Sequence, residues 1–195
     1  MKLFYRLRHT LLLAIFLLLA PTLALSATPE QPARPAHWAV PVSPTHNLYR
    51  ITPQLYRSAQ IGKRDIALLQ SLGIKTVVSL RALHSDRKLF KDSGIRIGRI
   101  KVITWKINDD HVVRALRAIK AAEKDGPVLL HCQHGADRTG TVSAMYRILY
   151  QNWTRERALD ELLNGGYGYH SLWKNIPEYL KNVDIEAVRR QVEAS

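Results

Sequence analysis

A single cysteine, Cys132, stands six residues before Arg138 in the run His131-Cys132-Gln133-His134-Gly135-Ala136-Asp137-Arg138-Thr139. The preceding Val128-Leu129-Leu130 is apolar and set off by Gly126 and Pro127, which reads as a strand. From Arg138 onward Val142, Met145 and Leu149 align on one helical face. A strand that passes to a helix over so short a span makes a loop able to curl round one tetrahedral anion. The backbone N–H groups of Gln133, His134, Gly135, Ala136 and Asp137 can point inward at phosphate oxygens, and the helix N-terminus adds partial positive charge. Gly135 supplies backbone freedom where the curl is tight. Arg138 offers a planar fork to two oxygens. The same field acts on the thiol, because thiolates near helix N-termini and cations have pKa values drawn from about 8.5 into a range of roughly 3.5–7.5. Cys132 is then a nucleophile for phosphorus. A thiolate needs no base, so His131 is expected to order the loop through its ring. Thr139 is expected to hydrogen-bond the sulfur and ease its departure. Asp137 would be unfavourable close to a dianion, so its carboxylate is expected to point outward.

These groups need a scaffold. Strands are predicted at 47–51, 54–57, 75–80, 95–103 and 128–131, and helices at 65–72, 110–124, 138–150 and 154–164, with two further helical segments after the Gly165-Gly166 stop. In the second helix Val112, Leu116 and Ile119 form the apolar stripe. Alternating strands and helices predict an α/β fold with a central, mostly parallel sheet of four to five strands flanked by helices. Sites in such sheets lie beyond the carboxyl ends of strands, where Cys132 falls. Arg57 and Arg81, near strand ends, could touch substrate, but a surface position or structural pairing is the expected role of each. Residues 165–170 are expected to form a helix stop and turn rather than a mobile flap.

The chain carries 195 residues and a net charge of +13. Lys2, Arg6 and Arg8 followed by the apolar run 11–20 and the small residues Ala24, Ser26 and Ala27 predict a signal peptide over 1–27, cleaved near 26–27, and a periplasmic or secreted protein. The apolar stretch is shorter than the roughly 20 residues a membrane span needs. Residues 28–44 hold five prolines and are expected to be a linker to a folded domain over 45–195. Removing the three leader charges from +13 leaves +10, which favours anionic partners and a weak association with acidic membrane surfaces. One cysteine excludes an intramolecular disulfide. The eight histidines show no metal-ligand spacing, and no cofactor is expected.

The motif resembles the His-Cys-x5-Arg-Ser/Thr signature of the cysteine-dependent protein tyrosine phosphatase superfamily. The surroundings are similar to its dual-specificity branch and to exported bacterial tyrosine phosphatases. The similarity includes Leu55-Tyr56-Arg57-Ser58-Ala59-Gln60 and Gly73-Ile74-Lys75-Thr76-Val77-Val78-Ser79-Leu80. The resemblance implies a dual-specificity-phosphatase-like fold and hydrolysis of phosphotyrosine, with phosphoserine and phosphothreonine as further substrates, through a cysteinyl-phosphate. It implies a phosphorylated protein as partner and no nucleic acid. It also implies an aspartate that protonates the leaving oxygen, carried by the stretch before the second helix. Related bacterial enzymes can carry it near the start of that stretch, where this chain has Trp105 and Lys106, so Asp109 and Asp110 are the candidates. Both also sit where the helix needs N-terminal acceptors. Other readings of the same loop are an RNA 5′-triphosphatase, which the leader opposes, an inositol-phosphate phosphatase, which the lack of lysines in the loop disfavours, and a phosphoprotein-binding pseudophosphatase, which intact Cys132 and Arg138 oppose.

Overall fold

The computed structural model describes residues 33–194; the leader expected over 1–27 lies outside them. Six strands form one sheet: β1 (Val40–Ser43), β2 (Leu48–Thr52), β3 (Leu55–Ser58), β4 (Thr76–Arg81), β5 (Arg96–Val102) and β6 (Val128–His131), in the order β1-β2-β3-β6-β4-β5. The pairs β3–β6, β6–β4 and β4–β5 are parallel, and β1–β2–β3 is an antiparallel extension. The helices are α1 (Ile66–Ser71), α2 (Asp109–Glu123), α3 (Asp137–Gln151), α4 (Arg155–Asn164), α5 (Asn175–Asn182) and α6 (Ile185–Glu193).

The parallel centre follows from composition. Thr76-Val77-Val78-Ser79-Leu80 and Val128-Leu129-Leu130-His131 are buried throughout, as strands covered on both faces must be. One apolar layer joins Val78, Leu80 and Leu130 to Leu116 and Ile119 of α2 and to Val142 and Met145 of α3. On the other face Val77 and Leu129 meet Leu48, Tyr56, Leu69 and Phe90. Helix α3 is buried on nearly all sides from Asp137 to Leu149, so the element that follows the catalytic motif is the core helix of the domain. None of the described helices is long and apolar enough to cross a membrane.

Two expectations are corrected. The sheet has six strands rather than four to five, and the sixth is β1, drawn from the tract expected to be a linker. The compact unit begins at Arg34. Its anchor is Glu161 of α4, which is 3% exposed. Its carboxylate accepts from Arg147 Nε and Nη2, each at 2.8 Å, from the Ala39 N–H at 2.6 Å and from the Tyr167 hydroxyl at 2.8 Å. Burial alone would raise the Glu161 pKa, but Arg147 and these donors outweigh it and hold the carboxyl below its ordinary range. Arg34 adds hydrogen bonds to the Gly165 carbonyl and the Tyr167 hydroxyl and lies over the Tyr49 ring. Prolines stiffened the sequence pattern of this segment without removing it from the fold. Glu161→Ala leaves Arg147 buried and unpaired, and is expected to cost about 3–5 kcal/mol, read as the shift of the urea midpoint at unchanged slope.

Candidate active site

Cys132 follows directly on β6 and is 1% exposed. The loop behind it is fixed by its carbonyl oxygens. The Cys132 carbonyl lies 3.1 Å from His131 Nδ1, which donates to it. The Gln133 carbonyl accepts from the Gln60 N–H at 3.1 Å. The His134 carbonyl accepts from Asn47 Nδ2 at 2.8 Å, and the Gly135 carbonyl from Arg57 Nη2 at 2.7 Å. Among the described residues, no hydrogen bond takes the N–H groups of Gln133, His134, Gly135 or Ala136. The start of α3 has no side-chain cap. With carbonyls turned outward and amides left free, the loop is a cradle for an anion.

Gly135 is required by geometry. Its φ is +72°, and a Cβ there would stand 2.5 Å from the Ser58 carbonyl carbon and 2.6 Å from the Ala59 nitrogen. The loop therefore rests on the end of β3. Asn47, in left-handed conformation at φ 48°, also donates to the Tyr167 carbonyl and so joins β2, the loop and the segment after α4. Arg57 is buried, with its guanidinium carbon 3.5 Å from the centre of the Tyr167 ring. Burial pushes its pKa down. The expectation of structural pairing for Arg57 matches this placement.

Arg138 runs from the first turn of α3 toward the ends of β4 and β5, where Nη1 donates to the Leu80 and Val102 carbonyls at 3.4 and 3.3 Å. Its Nε is buried without a partner among the described residues. A cavity of about 320 Å³ opens beside it, lined by Arg81, Gln133 and Arg138 and by the apolar Leu83, Val102 and Trp105. The expected bond from Thr139 to the sulfur is not formed. The Thr139 hydroxyl is buried and has no partner among the described residues.

His131 is held from its far side by Asp86, with Nε2 3.1 Å from Oδ2. The ring is thus gripped from both sides, by a carbonyl at Nδ1 and a carboxylate at Nε2. Asp86 also accepts from Gln60 Nε2 at 2.8 Å, and Gln60 Oε1 accepts from Arg81 at 2.8 Å. Burial works to raise the Asp86 pKa. The hydrogen bond and charge of His131, with Gln60, outweigh it and hold the carboxyl far below the usual range. Sequence reasoning missed Asp86, which lies 45 residues from His131 in an irregular segment with no motif. Gln60 stood within the recognised segment after β3, but its contacts had no sequence signal.

The structure does not bring Asp109 or Asp110 to the cavity. Asp109 Oδ1 accepts from the Tyr179 hydroxyl at 2.9 Å, a bond that together with burial pushes the Tyr179 pKa up. Asp110 pairs with Arg114 at 2.9 Å, its side chain 67% exposed. The cap of α2 is Asn108, whose side chain accepts from the His111 N–H. At the head of this stretch Trp105, 62% exposed, stacks on Trp173. Asp137 does not point outward as expected. It is 5% exposed, and its oxygens accept from the His170 N–H at 3.0 Å and from His170 Nδ1 at 2.8 Å. The His134 ring lies 5.0 Å from that of His170. His134, Asp137 and His170 each offer a ligand atom within 4.8 Å of the others, a grouping that sequence spacing concealed because His170 lies beyond α4.

A buried lone thiol at the carboxyl end of a parallel strand, an amide cradle and an arginine opening the core helix define a cysteine-dependent phosphatase of the dual-specificity class. The chain belongs to the family PTP-SAK (Swiss Army Knife protein, DSP-PTPase phosphatase domain), whose model matches residues 53–177. It is 40% identical over 185 residues to the dual specificity protein phosphatase TpbA of Pseudomonas aeruginosa strain UCBPP-PA14, covering 94% of this chain and 83% of that protein. A crystal structure of a Cys-to-Ser variant of P. aeruginosa TpbA in complex with phosphotyrosine superposes with a TM-score of 0.78 at 37% identity, over 84% of this chain and 100% of that one. The crystal structure of DUSP15, 18% identical with a TM-score of 0.60 over 76% of this chain and 95% of that one, shares the fold.

Because the Asp86 pKa is depressed on folding, the folded state binds fewer protons than the unfolded state between the two values, and stability rises with pH across that window. Asp86→Asn is expected to lower stability by about 1–3 kcal/mol at neutral pH. Urea titrations of the two proteins should converge as pH falls below about 4, the unfolded carboxyl value.

Proposed function

We propose that this protein hydrolyses phosphotyrosine in proteins, and phosphoserine and phosphothreonine with it, through a cysteinyl-phosphate on Cys132. The observation that carries the reading is the loop with outward carbonyls and free amides round a buried thiol. The phosphotyrosine bound by the TpbA variant supports the choice of ester, as do the apolar walls at Leu83, Val102 and Trp105, which suit a phenyl ring. In the first step the Cys132 sulfur attacks phosphorus, the phosphorus–oxygen bond to the leaving group breaks, and that oxygen takes a proton. In the second, water attacks phosphorus, gives up a proton, and the thiolate departs. The amides of 133–137 and the Arg138 fork stabilise the equatorial oxygens in both. His131, tied to Asp86, holds the Cys132 carbonyl away from the anion.

The leader supports export, cleavage near residues 26–27 and a periplasmic or secreted place of action. The basic surface supports phosphorylated, acidic protein partners and a weak attraction to acidic membranes.

Cys132→Ser should abolish turnover of phosphotyrosine peptide while retaining its binding, since cradle and fork remain; calorimetric titration of the variant checks the second half. Arg138→Lys should lower kcat/KM severely, because a point charge cannot replace the bidentate fork. Intact-mass analysis of the periplasmic fraction should give a chain beginning near residue 27. A mass that includes the leader would mean a tethered protein.

A further inference from the structure

Three ligand-bearing side chains meet beside the loop and take no part in the proposed reaction. His134, Asp137 and His170 each offer one ligand atom, and these atoms lie within 4.8 Å of one another. Among the described residues this is the one such grouping. The two histidines on Asp86, by contrast, take its two different oxygens.

The fold holds all three in place. One amide nitrogen, Asn47 Nδ2, donates to the His134 carbonyl and to the Tyr167 carbonyl, each at 2.8 Å, and so ties together the two stretches that carry the histidines. The His170 N–H donates to Asp137 Oδ1 at 3.0 Å, which fixes the carboxylate with Oδ2 facing His170 Nδ1 at 2.8 Å. Outer hydrogen bonds of this kind orient the ligands of a metal. The carboxylate is buried and both rings are exposed, so the rings have room to turn about a fixed oxygen.

The spacing suits a tetrahedral ion. Zinc bonds of about 2.0–2.2 Å hold neighbouring ligand atoms roughly 3.3 Å apart. The Nδ1–Oδ2 pair opens by about half an ångström to admit such an ion, and the hydrogen it shares leaves to water. Two imidazoles on one tetrahedral zinc place their ring centres roughly 5 Å apart. The rings of His134 and His170 stand 5.0 Å apart, tilted by 52°. Charge points the same way. Asp137 is a buried carboxylate beside an anion cradle, and no lysine or arginine pairs with it among the described residues. A divalent cation supplies the positive charge that such a group calls for.

We propose that His134, Asp137 and His170 form a binding site for a divalent cation of the zinc class. Two imidazoles and one carboxylate suit zinc over magnesium or calcium, which favour oxygen ligands. The fourth position is left to water, as in open three-ligand sites. The site stands beside the proposed reaction and does not depend on it.

The test is metal binding by the untagged protein, stripped of metal beforehand. Zn²⁺ is titrated calorimetrically into wild type, His134→Gln, His170→Gln, Asp137→Asn, Cys132→Ser and His84→Gln. Wild type, Cys132→Ser and His84→Gln are expected to take up one Zn²⁺ with equal affinity, and excess Mg²⁺ should not displace it. Each of the three ligand variants should bind about 10²-fold more weakly or worse, at least the upper scale for loss of an outer partner. Co²⁺ in place of Zn²⁺ should give the visible bands of a tetrahedral site without a thiolate charge-transfer band. Zn²⁺ should raise the thermal midpoint of wild type and leave that of His170→Gln unmoved. Both rings are exposed, so the metal-free midpoints of His134→Gln and His170→Gln are expected to match wild type; should one fall, the other variant decides. No uptake of Zn²⁺ by wild type, undiminished uptake in a histidine variant, loss of uptake in Cys132→Ser or His84→Gln, or a thiolate band overturns the proposal. Failure of the phosphatase reading looks different: wild type would hydrolyse no phosphotyrosine peptide.

Discussion

The carbonyl oxygens from Cys132 to Gly135 all bond outward, and the rest of the structure follows from the need to keep them there. A short loop has as many acceptors as donors, and an anion at its centre is repelled by every carbonyl that turns inward. Four donors prevent this, from the His131 ring, the Gln60 main chain, the Asn47 amide and the Arg57 guanidinium. Three of the four come from the segment between residues 47 and 60, which explains why the antiparallel part of the sheet lies beside β6. The phosphate-binding surface is made by the amides, but its shape is made by what grips the opposite side of the same peptides. Gly135 shows how close that grip is, since even a methyl group would meet the main chain of Ser58.

The same economy governs charge. Three carboxylates are buried in the domain close to the loop or its supports, and each is answered. Asp86 faces His131, Asp137 faces His170, and Glu161 faces Arg147. No buried carboxylate among these has an oxygen aimed freely at the site. Arg138 is left with an unpartnered Nε and long contacts to two strand-end carbonyls, so its cationic fork is held in place without being neutralised by an acid. The net effect is a site of positive field around a thiol, within a chain whose surface is itself strongly basic.

Much of this was legible from residue order. The strand at 128–131, the helix after it and the roles offered to Cys132, Gly135 and Arg138 depend on local spacing, which sequence carries directly. The helix from Asp109 is marked by Val112, Leu116 and Ile119, and its cap by the Asn108-Asp109-Asp110 cluster. Strand β1 escaped because Pro41 and its neighbours read as linker, while its place depends on pairing with β2 and on a hydrogen bond from Ala39 to Glu161, far along the chain. Asp86 and His170 escaped for the same reason: their partners lie on other elements. The direction of Asp137 was misread because only repulsion from the ligand was weighed, and the attraction of a histidine beyond α4 was not.

The long reach of the loop's supports sets the order in which the protein can become active. Asn47 and Arg57 close on the loop across 87 and 78 residues. Contacts so distant form only after the intervening chain has lost most of its freedom. A nascent or partly folded chain that has made α3 to α6 alone therefore holds the entire signature motif and none of its chemistry. Reactivity at the thiol is therefore a property of the completed sheet, because the loop is gripped from behind only once residues 47–60 have closed on it.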